Sequence, residues 1–301
     1  MPKKMMMTIN PAAGRSLNAN RQLILDAVEI FDKAGYRVTF FITRGRGDAE
    51  TFARENAMDY DMVVCCGGDG TMSETVNGLA RLESPPPLGY IPIGSTNDVA
   101  STFGIPRNPA QAAEKILAGR MLKFDIGEMK DKFFTYIAAF GAFTEASYST
   151  PQEIKNSLGH LAYLVQGARS ISQIQPIALK AEFNGKTVEG NFIFGSVSNS
   201  TSVAGLVKLD PDFVEFDDGL FEVLLIRQPA NVFQLERTIN GILTKNYDEK
   251  YVEFAQTSEI RFTFEAPVAW TRDGENGGEH TEITLTNRHE AIRLLIPQKE
   301  Q

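Results

Sequence analysis

Apolar positions along this chain follow two rhythms. In the first 120 residues short, continuously apolar runs alternate with segments of helical period. "MMMTI" ends at Asn10, and the next segment places Leu23, Ala27, Ile30, Phe31 and Ala34 on one face, with Gly35 as a stop. "YRVTFFIT" reads as a strand. "DAETFARENA" reads as a helix with Asp48 as its N-cap. "YDMVVCC" is apolar throughout, as buried parallel strands are. A helix from Thr71 places Met72, Val76 and Leu79 together, "SPPP" breaks the chain at 84–87, and "LGYIPI" follows as a strand. Such alternation predicts a doubly wound, mainly parallel α/β sheet over residues 1–124.

Beyond residue 124 the rhythm changes. "KFFTYIAAF" reads as one strand, and a helix is predicted from Gln152 to Ser172 with Leu158, Leu161, Val165 and Ala168 inward. Two β runs flank Asn184-Gly185, a strong hairpin signal. "GLFEVLLIR", "SEIRFTFE" and "TEITLTN" add strands around one helix, "NVFQLERTINGIL". Residues 125–301 therefore read as a mostly antiparallel β-sandwich, with the last residues packing back on the first domain and a ligand cleft between the two domains.

Composition narrows the classes. The 301 residues are 43% hydrophobic with a net charge of −8, which argues against a nucleic-acid binder. The only cysteines, Cys65 and Cys66, lie in an apolar run and read as buried thiols in a reducing cytoplasm. His160, His280 and His289 show no metal spacing. No apolar stretch approaches the ~18 residues of a membrane span, and the start reads as a strand rather than a leader.

The chemistry concentrates in glycine-containing turns. "GGDGT" (67–71) stands at a strand end before a helix, where open sheets bind ligands. Gly67, Gly68 and Gly70 let backbone amides approach a phosphate. "NPAAGR" (10–15) and "PIGSTNDVAS" (92–101) are similar turns at the same edge, and the three together suit a nucleotide phosphate chain. The acid in the middle, Asp69, raises a difficulty. At ~4 Å it would repel a phosphate charge by about 1 kcal/mol in water and about 4 kcal/mol at an effective dielectric of ~20. A magnesium ion between them reverses the sign, because Mg²⁺ takes carboxylate and phosphate oxygens. Asp69 is therefore the candidate magnesium ligand.

The series "NPAAGR", "GGDGTMSETVNG", "GSTNDVA" and "TRDGE" (271–275) resembles the diacylglycerol kinase catalytic-domain family, whose members include soluble bacterial diacylglycerol kinases and the sphingosine and ceramide kinases. The motifs stand in the family's order from residue 10 to residue 275. The resemblance implies transfer of the γ-phosphoryl group of Mg-ATP to a lipid hydroxyl, diacylglycerol giving phosphatidic acid. It assigns Asn10, Gly14, Thr43, Gly67, Gly68, Gly70, Thr71, Glu74 and Ser95 to the nucleotide and Glu275, with Asp273 beside it, to catalysis. It also implies a structural Mg²⁺ on Glu215, Asp218 and the Leu220 carbonyl, within the acidic stretch "DPDFVEFDDGLFEV". Two departures stand out: Ser95 replaces the usual threonine and keeps its hydroxyl, and Ala204-Gly205 stands where the family often has paired glycines.

A lipid kinase without a membrane span must visit the bilayer transiently from the cytoplasm. Lys3, Lys4, Lys155, Arg169 and Lys180 are candidates for the lipid-facing basic patch, with solvation as the competing role. Two rival functions remain: an NAD-kinase-like enzyme with a soluble acceptor, and a nucleotide-binding regulator without catalysis, against which intact Asp69, Asp273 and Glu275 argue. The sequence leaves oligomerisation open.

Overall fold

The structure, a computed structural model, describes residues 2–13, 17–142, 174–199, 202–203, 207–208, 216–244 and 246–298. The helix expected over 152–172, Gly14, Lys155, Arg169 and Glu215 lie outside the described residues. The chain divides into two compact units, Met1–Ile126 with Glu290–Gln301, and Gly127–His289. No helix among the described residues is long and apolar enough to cross a membrane.

The first unit is built on a parallel sheet. Its strands are β1 (Lys3–Ile9), β2 (Tyr36–Ile42), β3 (Met62–Gly67) and β4 (Leu88–Pro92), in the order β2-β1-β3-β4. β1 pairs with β2 and β3, and β3 with β4, all parallel. β3 and β4 are buried along their whole length, which explains their unbroken apolar sequence. The helices between strands are α1 (Leu17–Lys33), α2 (Asp48–Asn56) and α3 (Asp69–Leu79). α4 (Asp98–Phe103) and α5 (Pro109–Ala118) follow β4. Ile24, Ala27 and Phe31 form the buried stripe of α1, one residue displaced from Leu23 of the expected face, and Gly35 ends it at φ +85°. Asp48 is not the cap of α2 but its first residue. Gly47 occupies the cap at φ 87°, and the Asp48 carboxylate turns back to accept the amides of Arg44 (2.7 Å) and Gly45 (3.1 Å).

The second unit is antiparallel. β7 (Ile137–Gly141), β9 (Lys186–Ser198), β12 (Phe221–Arg227) and β13 (Val252–Thr257) form consecutive ladders. β8 (Ile177–Phe183) pairs with the first part of β9 and with the first part of β14 (Glu259–Arg272), whereas β7 pairs with their last parts. Long strands thus serve two ladders each, and a register shift in β14 between Thr263 and Val268 marks the change. A buried aromatic cluster fills this arrangement, with Phe140 and Trp270 4.7 Å apart between ring centroids. A second apolar cluster uses Ile137, Ala139, Leu224 and Ile226 with Leu235, Ile239 and Ile242 of α6 (Val232–Leu243), which Asn231 caps through the Gln234 amide. β10 (Ser202–Val203) and β11 (Val207–Lys208) form a small separate ladder.

Two expected boundaries shift. The single strand read over 132–140 is two, because β6 (Lys132–Phe134) stops before Thr135 and Tyr136, whose amides turn to a carboxylate. The last two predicted strands are long. β15 (Glu275–Ile296) pairs with β14 through most of the second unit, and its final residues return to the first, where Leu294 pairs with Leu88. β5 (Arg120–Met129) leads from the first unit into the second.

Candidate active site

The four strand ends of the first unit form one edge. The register aligns Ile9 with Ile42 and Cys66, and Gly67 with Pro92. The residues that follow, Asn10, Thr43, Gly68 and Ile93, therefore leave the sheet side by side. Hydrogen bonds extend the ladder into these turns: Asn10 N to Cys66 O (3.0 Å), Thr43 N to Ile9 O (2.9 Å) and Ile93 N to Gly67 O (2.9 Å).

Two glycine loops then touch through their backbones. A Cβ on Gly94 would lie 2.6 Å from the Gly68 Cα, and one on Gly68 would lie 3.3 Å from the Gly94 Cα. Glycine is needed here for close approach rather than for an unusual φ. Gly67 is equally restricted, since its Cβ would meet the Thr71 side chain at 2.5 Å. Asn10 ties the first turn to α3: its Nδ2 donates to Thr71 Oγ1 (2.9 Å), and its Oδ1 accepts the Ala12 amide (2.9 Å). Glu74 accepts the amides of Gly47 (2.8 Å) and Ala49 (3.3 Å), satisfying the start of α2 from α3. Thr43 is buried, with its hydroxyl toward Ile9 O. Gly70 and Ser95 are exposed. Asn10, Thr43 and Glu74 thus hold the loops, while Gly70 and Ser95 face outward from them.

Asp69 opens α3 inside this edge. Burial raises its carboxyl above the ordinary carboxylate range, and the amides of Asn97, Val99 and Asp98 facing it offset part of the rise. Its Oδ1 is buried without a hydrogen-bond partner. Those amides face it because Asn97 adopts a left-handed conformation (φ 57°) and is locked there. Its Oδ1 accepts from Gly94 N (3.0 Å) and the Tyr90 hydroxyl (3.2 Å), and its Nδ2 donates to Gly94 O (2.7 Å). Burial, followed by the Asp69 charge, pushes the Tyr90 phenol up, so it stays a donor. Cys65 is pushed up to about 12 by burial, and Cys66 also upward, so both remain inert thiols.

In the second unit Asp273 and Gly274 form the two-residue turn between β14 and β15, at φ 47° and 78°. Two positive φ values define a type I′ hairpin, so "TRDGE" is a tight turn. The Asp273 carboxylate is fully engaged. Oδ2 accepts from Thr135 N (2.7 Å) and Thr135 Oγ1 (2.9 Å), and Oδ1 accepts from Tyr136 N and Ile137 N (3.1 Å each). Burial raises its carboxyl, and these bonds offset that. Glu275 opens β15 opposite Arg272 and is partly exposed.

Of the acidic stretch, residues 216–220 are among those described. Asp218 Oδ1 accepts the Leu220 amide (2.9 Å), and the Leu220 carbonyl accepts from Asn287 Nδ2 (3.1 Å). Among the described residues no group of three His, Cys, Asp or Glu could hold a metal. Lys180 pairs with Glu182 at 2.8 Å.

Three residues that organise these turns carried little signal in the sequence. Asn97 was visible only as part of "GSTND". Thr135 lay inside an apparently continuous strand. Asp125 is fully buried in β5 and accepts the Glu290 amide (2.6 Å), and an acid within the apolar "KFDIG" was its only mark.

Comparison with known proteins bears on the fold and the family. Residues 4–129 match the family described as "Diacylglycerol kinase catalytic domain", and residues 141–296 match the "YegS C-terminal NAD kinase beta sandwich-like domain". The diacylglycerol kinase of Bacillus subtilis (strain 168) is 32% identical over 301 residues, covering 99% of this chain and 98% of its own. That of Staphylococcus aureus (strain Newman) is 32% identical over 283 residues, covering 93% and 88%. A crystal structure of a diacylglycerol kinase from Bacillus anthracis str. Sterne superposes with a TM-score of 0.74 at 22% identity, covering 98% of this chain and 97% of that one. A second structure from that organism reaches 0.82 at 24% identity, again over 98% and 97%. At these identities the structures speak for the fold alone. Full-length sequence similarity carries the rest, and the chain belongs to the diacylglycerol kinase catalytic-domain family, an enzyme of the lipid-kinase class.

Proposed function

We propose that the enzyme transfers the γ-phosphoryl group of ATP to the free hydroxyl of diacylglycerol, giving phosphatidic acid. The observation that carries the reading is Asp69: a half-buried carboxylate with one buried, unpartnered oxygen, set among glycine turns at the carboxyl edge of a parallel sheet. Leaving such an oxygen unpaired is costly unless something binds it. A hard cation fits: the donor is a carboxylate oxygen, and the neighbouring glycines admit phosphate oxygens. Mg²⁺ held by Asp69 would supply charge neutralisation between the carboxylate and the phosphates.

The chain's own residues then divide the work. The amides around Gly67, Gly68, Gly70 and Thr71 hold the phosphates, and Ser95 adds a hydroxyl. Asn10, Thr43 and Glu74 keep the turns in place. Glu275 takes the proton from the acceptor hydroxyl as the new P–O bond forms, and ADP leaves with the electron pair of the broken bond. Asp273 has no open acceptor position for that proton. The lipid-facing contacts lie on the second unit, and the enzyme meets the membrane peripherally from the cytoplasm. The second cation, on Glu215, Asp218 and the Leu220 carbonyl, has a cost in this reading, because the Leu220 oxygen already accepts from Asn287.

The test is an assay with labelled ATP against diacylglycerol and other lipid alcohols in mixed micelles, with NAD in parallel. Phosphatidic acid is the expected product, and Glu275→Gln lowers kcat by about 10²–10⁴-fold with the KM for ATP unchanged. Phosphorylated NAD as the main product would overturn the acceptor. Normal turnover by Glu275→Gln would overturn the base.

A further inference from the structure

We propose that Thr135 and Asp273 form a clasp that positions Glu275, so that Asp273 is a positioning residue and Thr135 a second one. The inference deepens the reading of Glu275 as the base and rests on it.

The clasp joins two turns distant in sequence. One is the corner between β6 and β7, residues Thr135 and Tyr136. The other is the tip of the β14–β15 hairpin. Four donors converge on the Asp273 carboxylate from Thr135, Tyr136 and Ile137, and the Asp273 amide answers with a bond to Ile137 O at 2.9 Å. An ionised carboxylate offers about four acceptor positions. All four are taken, three by backbone amides of Thr135, Tyr136 and Ile137. The corner itself explains the arrangement: β6 and β7 would run on as one strand if Thr135 and Tyr136 did not turn their amides to Asp273.

The hairpin tip gains from the same bonds. Arg272, Thr271 and Trp270 of β14 pair with Ala138, Ala139 and Phe140 of β7, and the Thr271 hydroxyl donates to Ala139 O at 3.2 Å. That ladder ends at Arg272, one residue before the turn. Glu275 begins β15 just after it, opposite Arg272. Hairpin tips fray because nothing beyond the last pair holds them. Here the clasp continues the attachment past the last pair, through Asp273, so the backbone that carries Glu275 is tied on both sides of the turn. The Tyr136 side of the corner is close as well: a Cβ on Gly274 would lie 3.7 Å from the Tyr136 hydroxyl oxygen. Thr135 is 2% exposed, and its hydroxyl is the one side-chain donor in the set. It can therefore be removed without altering the backbone.

The experiment compares Thr135→Val, Thr135→Ser, Asp273→Asn and Glu275→Gln in the full chain. Rates with Mg-ATP and diacylglycerol in mixed micelles are followed against pH, well below each variant's Tm. Thr135→Val is expected to lower kcat about 10-fold with the KM for ATP unchanged, a smaller loss than the about 10²-fold of a 1 Å misplacement. Thr135→Ser, which keeps the hydroxyl, restores the rate. Asp273→Asn lowers kcat further but keeps the acid limb of its pH profile, which disappears only in Glu275→Gln. If Asp273→Asn does not fold, the Thr135 pair decides alone. A wild-type kcat in Thr135→Val overturns the clasp while an impaired Glu275→Gln preserves the base. Loss of the acid limb in Asp273→Asn with its retention in Glu275→Gln makes Asp273 the base and overturns the positioning role. A wild-type rate in Glu275→Gln removes the base reading itself, whatever the Thr135 variants show.

Discussion

The dipeptide Asp-Gly occurs at both Asp69-Gly70 and Asp273-Gly274, and the two copies have opposite lives. Asp69 starts a helix, lies half-buried, and keeps one buried oxygen without a partner. Asp273 turns a hairpin and has every acceptor position filled. Burial pushes both carboxyls upward. What separates them is where those donors fall: Asp69 Oδ1 is left without one, whereas both oxygens of Asp273 are engaged. An under-satisfied buried carboxylate is poised for a cation, whereas a saturated one is a fastener. A third copy, Asp218-Gly219, accepts its own loop's Leu220 amide and sits at a glycine with φ 77°.

The largest expected effect separates the two acids by activity. Asp69→Asn should lower kcat/KM for Mg-ATP by roughly 10²–10³-fold, the scale on which a preorganised electrostatic group acts. Raising Mg²⁺ should not restore it. Near-normal activity at ordinary Mg²⁺ would show that Asp69 does not carry the metal.

The order reverses for stability. Asp273→Asn loses acceptors for buried amides and places an NH₂ against donors, so urea denaturation should show a loss on the order of 2–4 kcal/mol. Asp69→Asn without nucleotide should lose little, since the amide keeps one oxygen for the Asn97, Val99 and Asp98 amides and removes a charge that burial disfavours. Equal losses in the two variants would erase the contrast.

The glycines sharpen it next. Gly94→Ala drives a methyl into the Gly68 backbone, a collision that should cost about 1–3 kcal/mol and raise the KM for ATP. Gly274→Ala meets nothing closer than 3.7 Å and is strained only by its φ of 78°, so about 1–2 kcal/mol is expected with the KM for ATP unchanged. Calorimetry with steady-state kinetics checks both.

The smallest effect is a pH dependence. Because burial holds Asp69 above its ordinary 3.8, the folded chain keeps a proton that the unfolded chain has released once pH passes that value. Stability contributed by this group is therefore present at low pH and lost as pH rises to the elevated folded value. Asp69→Asn lacks that loss. In EDTA, the Tm of Asp69→Asn minus that of the wild type should be larger at about pH 8 than at about pH 4. A difference independent of pH would deny the elevated carboxyl.

Much of this was readable in the chain. Unbroken apolar runs at Met62–Cys66 and Leu88–Ile93 gave parallel strands, because strands covered on both faces need no polar side. Asn184-Gly185 gave its hairpin, with φ values of 50° and 71°. The three glycine turns could be placed at one edge because parallel strands all end on the same side. Less readable were features that depend on a distant partner. The break at Thr135 was hidden, since "KFFTYIAAF" is locally a good strand and its interruption comes from a carboxylate 138 residues away. The cap of α2 was assigned to Asp48 by local rule, but Glu74 supplies the acceptor from another helix.

The sequence by itself determined the order of strands and helices, the glycine positions that permit close approach, and the motif series that marks the family. Those properties follow from side-chain period, missing Cβ atoms and local residue order, all of which act within a few residues. Only tertiary structure decided which acid is left wanting a partner and which is saturated. Hydrogen-bond satisfaction depends on donors brought from elsewhere in the chain, and Asp69 keeps an unpartnered oxygen where Asp273 has none, although a glycine follows both.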